Sequence, residues 1–348
     1  DATSDTTLEF AGTVVDPSGT PAVGAQMFLV FHIPEPTGLL VPKAKPLATT
    51  DAEGKYQFTV RPSDFGGGAS AGELGFASLV ARKEGFGCAG SRAALHESSG
   101  QSLSKLRERL QQAPAAFAAS LKRMLGGAGK PMQLIADDQP LRGRVVDING
   151  QPVAGARLTL LTVASNHDND LTAWRKATQD PKADYYSARM QTPRVINGPQ
   201  VRSLVTPATT DAEGRFQLRG VGQGRIAELL VEGAHIENSK IFARTEAGEA
   251  IELLRERRSP DLGRYTYHPA TFTHVAGPTA VIAGVVRDSE TDAPLAGVTV
   301  KSQSRHGEPI SGWGQDFVRA VTDGEGRYQL VGMPIGSDNR IAAIAPPG

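Results

Sequence analysis

Carboxylates that recur at a fixed spacing are the first place to look for chemistry, and this chain writes Asp-x-Glu-Gly three times. The stretch TTDAEGKYQF at 49–58 returns as TTDAEGRFQL at 209–218 and as VTDGEGRYQL at 321–330. Two carboxylates at i and i+2, as in Asp51 and Glu53, would suit a hard cation. A calcium loop, however, gathers six or more oxygens from a longer run. The competing reading is a turn: an Asp side chain accepts the backbone amides that follow it, and a Gly three positions on takes the positive φ that closes a short hairpin. The turn reading is preferred. Asp51 and Gly54 are then framework, and neither a metal site nor a cofactor is expected.

Other reactive side chains do not converge in sequence. The seven histidines (His32, His96, His167, His235, His268, His274 and His306) show no HExxH or other tight metal spacing, and HDND at 167–170 reads as a polar loop. Cys88, the one cysteine, sits in EGFGCAG without an activating neighbour, and a small buried thiol is the expected fate. No GxSxG, Walker loop or dinucleotide fingerprint occurs. No catalytic residue is therefore assigned, and the chain is read as not an enzyme.

The aromatic residues are more suggestive. Trp174 in DLTAWRK and Trp313 in ISGWGQD both fall between the second predicted strand of a repeat and its Asp-x-Glu-Gly hairpin. Both should lie on long connections, where binding residues concentrate, and an exposed ring can stack on a sugar or grip a protein. Tyr185 and Tyr186 would extend the same surface. Trp174, Tyr185, Tyr186 and Trp313 are the candidate ligand-binding residues, for a glycan or a cell-surface protein. The alternative for each indole is that it anchors its connection on the apolar edge of its own sandwich.

The elements that must hold these residues are strands. Each hairpin is preceded by a second motif, GTVVDPSGTPAVGAQMFL from 12, GRVVDINGQPVAGARLTL from 143 and GVVRDSETDAPLAGVTVK from 284. One spacing separates Asp16 from Asp51 and Asp288 from Asp323, whereas Asp147 and Asp211 lie further apart, so copy two carries an insertion. Within each copy the pattern has a period of two, the mark of strands with one buried face. The first strand points Phe10, Leu141 or Ile282 and then Val14, Val145 or Val286 inward. The second points Ala25, Ala156 or Val298 and Met27, Leu158 or Val300 inward, with Gln26, Arg157 or Thr299 outward. The third points Tyr56, Phe216 or Tyr328 and Phe58, Leu218 or Leu330 inward.

Composition narrows the role. Lys plus Arg and Asp plus Glu both number 37, so no large field gathers nucleic acid or an anionic membrane. No run of 18 apolar residues is present to insert in a membrane. The first residue is Asp1 rather than Met, as expected where a leader or anchor has been removed, and as a cloning boundary would also leave it. Gly and Pro, at 39 and 23, point to many turns and short strands.

GRVVDINGQPVAGARL followed by TTDAEGRFQLRGV resembles the carboxypeptidase regulatory-like domain, found in tandem in large bacterial exported proteins, and the motif pair covers all three copies. The resemblance implies a mainly β fold of tandem transthyretin-like (prealbumin-like) β-sandwiches. It also implies a structural or binding role, extracytoplasmic (secreted, periplasmic or at the cell surface), without peptidase activity. The alternative function is the accessory region of a larger enzyme whose catalytic domain lies outside this chain. Two enzyme types share the transthyretin-like fold. The closing Tyr-Arg-Gly-Ser motif of hydroxyisourate hydrolases is not found here, and an intradiol dioxygenase iron site would have to conscript Tyr185, Tyr186, His268 and His274. Pilin-like surface domains join a first-strand Lys to a last-strand Asn, but LEFAGTVV, LRGRVV and VIAGVV carry no Lys, so no isopeptide is expected.

The expected domains are 1–138 with a helical insertion at 97–130, 139–277 with an insertion at 165–205, and 278–348. Residues 102–125 place Leu103, Leu106, Leu110, Phe117, Leu121 and Leu125 at helical spacing, with Pro114 splitting the run. They should form the only substantial helix. The third domain is expected to lack its last strands, as if cut from a longer chain.

Overall fold

The computed structural model describes residues 7–30, 44–61, 64, 77–92, 130–166, 168–198, 200–258, 263–305, 307–309 and 318–345. Residues 97–129 of the helical insertion expected at 97–130, and Trp313, lie outside them.

The fold is mainly β, and the three copies are laid down by one rule. In each, the first strand pairs antiparallel with the strand that leaves the Asp-x-Glu-Gly turn. Leu8–Val15 pairs with Lys55–Val60, Leu141–Asp147 with Arg215–Leu218, and Thr279–Val285 with Arg327–Pro334. In copies one and two the first strand gains a parallel neighbour on its other edge, Met132–Gln133 and Thr271–Ala276 respectively. A second sheet faces each of these. In copy one its order is Ala48–Thr49, Gln26–Val30, Ser78–Arg82 and Ala89–Arg92. In copy two Arg157–Ser165, Ile226–Gly233 and Ile236–Arg244 form its centre. In copy three Thr299–Arg305 lies between Arg319–Val321 and Arg340–Ile344.

The period-two pattern places the core. Phe10, Val14, Tyr56 and Phe58 from one sheet of copy one meet Met27, Leu29, Leu79 and Ala81 from the other in a single buried cluster. Phe10 stacks on Phe58 with ring centroids 5.1 Å apart. One outward position differs. Thr299 is buried, between Val321 and Ile344 on the neighbouring strands.

The repeated ten residues are a turn. Asp51 Oδ1 accepts the amides of Glu53 at 3.1 Å and Lys55 at 2.7 Å, and Asp211 and Asp323 do the same for Glu213 and Arg215 and for Glu325 and Arg327. Gly54, Gly214 and Gly326 have φ of 72°, 73° and 71°. Each also carries the first strand, because the amides of Val14, Val145 and Val286 donate to their carbonyls at 2.8 Å. A Cβ at these glycines would lie 2.4, 2.5 and 2.6 Å from the carbonyl oxygens of those same valines. Positive φ and close approach together leave room only for glycine.

The Thr before each Asp has a role the sequence did not disclose. Thr50, Thr210 and Thr322 are buried, and their hydroxyls accept the amides of Ala25, Ala156 and Val298 at 2.8, 2.8 and 2.9 Å. Each hydroxyl donates in turn to the carbonyl of Ala22, Val153 or Leu295. One side chain thus ties the hairpin to the start of the second strand and satisfies two buried backbone groups.

Copies one and two share a core. Gln26–Val30 is covered on both faces: Met27 and Leu29 point into copy one, while Phe28 and Val30, with Val80 and Cys88, join the cluster of Leu160, Ile196, Val201, Leu204 and Val221. Part of the copy-two insertion builds this contact. Its strand Arg194–Asn197 pairs with Arg157–Ser165, and Ser78 Oγ donates to the Val195 carbonyl at 3.2 Å. Gly87 and Gly222 allow the backbones to meet, since a Cβ on Gly87 would lie 2.3 Å from Gly222 Cα.

Candidate functional site

Among the described residues, the insertion expected at 165–205 carries three helices and a strand. Asn166 Oδ1 takes the amides of Asp168 and Asp170 at 3.0 and 2.9 Å, turning the chain, and Asp170 Oδ1 then takes the amide of Thr172 at 2.9 Å and its hydroxyl at 2.7 Å. These bonds hold the Asp170 carboxyl below the usual range, the hydroxyl bond most strongly. Helix α1 follows at Thr172–Thr178. Helix α2, Tyr185–Arg189, is started by a capping box in which Asp184 accepts the Ser187 amide and Ser187 Oγ accepts the Asp184 amide. The third helix, Val201–Leu204, buries Val201 and Leu204 in the core shared with copy one.

Trp174 points inward from α1 and is 1% exposed. Its ring lies 5.1 Å from that of Tyr267, and the Arg244 guanidinium sits 5.9 Å from the indole centroid. Leu171, Ala188, Phe242 and Leu253 complete the cluster. Burial raises the Tyr267 phenol well above its ordinary value. Trp174 is therefore packed against its own sandwich, the place that the alternative reading of the sequence gave it.

The tyrosines divide. Tyr185 is half-buried, with ring centroids 5.4 Å from Tyr265 and 6.1 Å from Phe242. Tyr186, edge-on to it at 5.3 Å, is 63% exposed. An open cleft beside Tyr186 is lined by Asp184, Glu256, Arg257 and Arg258. Asp184 Oδ2 accepts the Arg257 amide at 3.2 Å, which ties that lip to the start of α2. Partial burial works against the Asp184 carboxylate, but the bonds from Ser187 and the Arg257 amide outweigh it and hold the pKa down. The arrangement offers an exposed ring beside guanidinium groups and carboxylates, on a base fixed by packed aromatics. Such a surface can stack and donate hydrogen bonds.

The histidines singled out by the iron-site comparison are structural in their contacts. His274 Nε2 and Ser239 Oγ are 3.0 Å apart and link the two sheets of copy two. Burial, with a smaller contribution from His268, pulls His274 down to about 4, so the ring is neutral at pH 7. His268 stacks on Phe272 at 4.6 Å, and burial lowers it too. Among the described residues, no three His, Cys, Asp or Glu side chains gather as a metal ion would need.

No protein-family profile matches the chain. No curated protein matches it. Solved structures do. The Bacillus anthracis TIE protein is 8% identical with a TM-score of 0.20; the match covers 98% of this chain, which spans 45% of the length of that one. A double mutant of the shaft pilin SpaA from Lactobacillus rhamnosus GG is 12% identical over 60% of this chain and 88% of its own, with a TM-score of 0.20. BcpA, the major pilin subunit of Bacillus cereus, is 10% identical over 97% of this chain and 88% of its own, with a TM-score of 0.16.

Proposed function

We propose that this chain is a non-catalytic, extracytoplasmic structural and binding module built of tandem carboxypeptidase regulatory-like domains, whose copy-two insertion presents Tyr186 to a glycan or a surface protein. The observation that carries the binding part is the contrast within one insertion. Trp174 and Tyr185 are spent on packing, while Tyr186, one residue along a capped helix, projects into solvent beside Arg257 and Arg258. A ring held rigidly before binding loses little freedom on contact, which favours recognition. The family assignment is supported by the motif pair and by the common strand pairing of the copies. The structural role is supported by the shared core of copies one and two.

Glycan arrays and binding assays against purified cell-surface proteins test the reading, comparing the chain with Tyr186→Ala. Loss of a hot-spot aromatic should weaken binding about tenfold or more at unchanged melting temperature. Equal binding by both proteins, or no binding by either, would overturn the proposal.

A further inference from the structure

Two junctions join the three copies, and they are built of different material. Copies one and two share an apolar core, to which Phe28, Val30, Val80 and Cys88 of copy one belong. Among the described residues no such cluster joins copies two and three: the core around Val300, Val318, Leu330 and Met333 holds copy-three residues alone. The chain crosses from Thr271–Ala276 to Thr279–Val285 through Gly277 and Pro278. There the Glu237 amide donates to the Gly277 carbonyl at 2.9 Å, and Ile236 and Pro278 form an isolated antiparallel bridge. Beside the crossing, Gly332 of copy three makes room for the buried Asn238 of copy two, whose Oδ1 a Cβ would strike. The other contacts are charged. Glu232 and Glu237 stand on either side of the turn that joins Ile226–Gly233 to Ile236–Arg244 in copy two. Arg305 of copy three reaches Glu237, with Nη2 and Oε2 3.6 Å apart and both side chains largely buried. Burial pushes the Glu232 carboxyl up, and Arg202 and Arg157 of copy two, with Arg319 of copy three, pull against it. Arg305 Nε is buried with no hydrogen-bond partner among the described residues; water would satisfy it once the pair parted.

From this we infer that copy three is docked on copy two through an acidic turn set against arginines, a joint that salt opens, while copies one and two stay one body. The two junctions answer to different variables. Apolar burial is not weakened by sodium chloride, whereas attraction between charges is screened, the Debye length falling from about 10 Å at 0.1 M to about 3 Å at 1 M. A largely buried Arg–Glu pair returns little net stability against the cost of desolvating both groups, so Arg305 and Glu237 set the orientation of copy three more than they hold it in place. Gly277 supplies the pivot, since without a Cβ it reaches backbone conformations closed to other residues. The two-residue connection keeps the copies adjacent when the joint is open. Closure is then an intramolecular step and reverses when the salt is removed.

The test follows the full chain in sodium chloride at about 0.1 M and about 1 M, by local amide exchange read by mass spectrometry and by small-angle X-ray scattering. In high salt, exchange at Ile236, Glu237, Asn238 and Thr279 should quicken about tenfold, as two weakened charge contacts imply, and the maximum dimension of the particle should grow. Exchange across Gln26–Val30, at the junction of copies one and two, should stay within about twofold. Glu237→Gln leaves Arg305 without its charge partner. That variant should already exchange about a hundredfold faster at the joint in low salt, and should respond less to added salt. Three results would overturn the inference. One is unchanged exchange and scattering of the native chain in high salt. A second is equal quickening at both junctions, meaning that the copies loosen together. The third is a Glu237→Gln chain whose joint exchanges like the native one, meaning that the pair does not set the closed state.

Discussion

The guanidinium of Arg225, in copy two, donates to the backbone carbonyl of Cys88, in copy one. It also donates to the Val221 carbonyl at 3.1 Å and to Asn169 Oδ1 at 3.3 Å, while the side chain is buried. Around it, Asp137 accepts the amides of Gly220 and Gly222 at 2.8 and 3.2 Å, and Gln223 donates to the Ala136 carbonyl at 2.9 Å. Burial lowers the arginine and raises the Cys88 thiol, each opposed by the other and by hydrogen bonding. The thiol is thus a protonated packing group at neutral pH. A charge placed at a junction and bonded to carbonyls of both copies fixes how the copies meet.

Replacing Arg225 by Ala strands two buried carbonyls, each costing about 1–3 kcal/mol. Urea unfolding of Arg225→Ala should show a loss of that order, with the copy-one transition separating from that of copy two. A variant that unfolds in one transition at the original midpoint would remove Arg225 from the junction.

The hairpin glycines should be intolerant in proportion to what their Cβ would strike. Gly54→Ala, Gly214→Ala and Gly326→Ala combine a left-handed backbone with a Cβ 2.4–2.6 Å from a carbonyl oxygen, and should each cost about 2–4 kcal/mol. Gly24→Ala has the same backbone sign, φ 75°, but open space around its Cβ, and should cost about 1–2 kcal/mol. Melting curves of the four variants check this; equal losses at Gly24 and Gly54 would show that close approach adds nothing.

Much of this framework was legible because strand and turn signals are local. Period-two alternation is written along each strand, so Phe10, Val14, Tyr56 and Phe58 declared their facing, and three copies in agreement averaged out accident. Asp51 was legible as a turn residue because its partners are the next amides in the chain. Thr50 was not, since its partners Ala22 and Ala25 belong to another strand and nothing local distinguishes a tying Thr from a solvent-facing one. Phe28 and Val30 look like the outer face of an ordinary strand until copy two covers them. Arg225 reads as one more polar residue after a Gly-rich turn. At the candidate site, Trp174 and Tyr186 carry similar signals in sequence, and only the packing of α1 and α2 separates an anchor from an exposed ring.

Thr50→Val, Thr210→Val and Thr322→Val keep shape but remove the hydroxyl, leaving the amide of Ala25, Ala156 or Val298 buried without its acceptor. Each should lose about 1–3 kcal/mol, measured by urea denaturation, whereas Thr→Ser at the same positions should keep most of the stability. Equal losses for Val and Ser would point to methyl packing instead.

Trp174 should resist acrylamide. In a Trp313→Phe variant it is the sole indole, and its 1% exposure predicts quenching at a small fraction of the rate for free tryptophan until the protein unfolds. Strong quenching in the native state would mean that α1 opens readily and that the aromatic base under Tyr186 is not fixed.

His274 should make copy two sensitive to mild acid. Its folded pKa, about 4, lies below the ordinary value of 6.5, so between those values the unfolded chain binds a proton that the folded chain refuses. Stability is then fully present above about pH 6.5, falls as pH drops toward 4, and levels off below it, a loss on the order of 3 kcal/mol. His268, lowered by burial in the same direction, adds to the slope. The turn carboxylates act in a separate window: Asp16, held down chiefly by the Ser18 hydroxyl, and Asp288, held down chiefly by the Thr291 amide, lose their contribution only on further acidification. Urea midpoints measured from pH 7.5 to 4 should therefore decline for the native chain and decline much less for His274→Asn, whose amide can still meet Ser239. Identical pH profiles would show that His274 is protonated in the folded state and that the bond to Ser239 does not depend on a neutral ring.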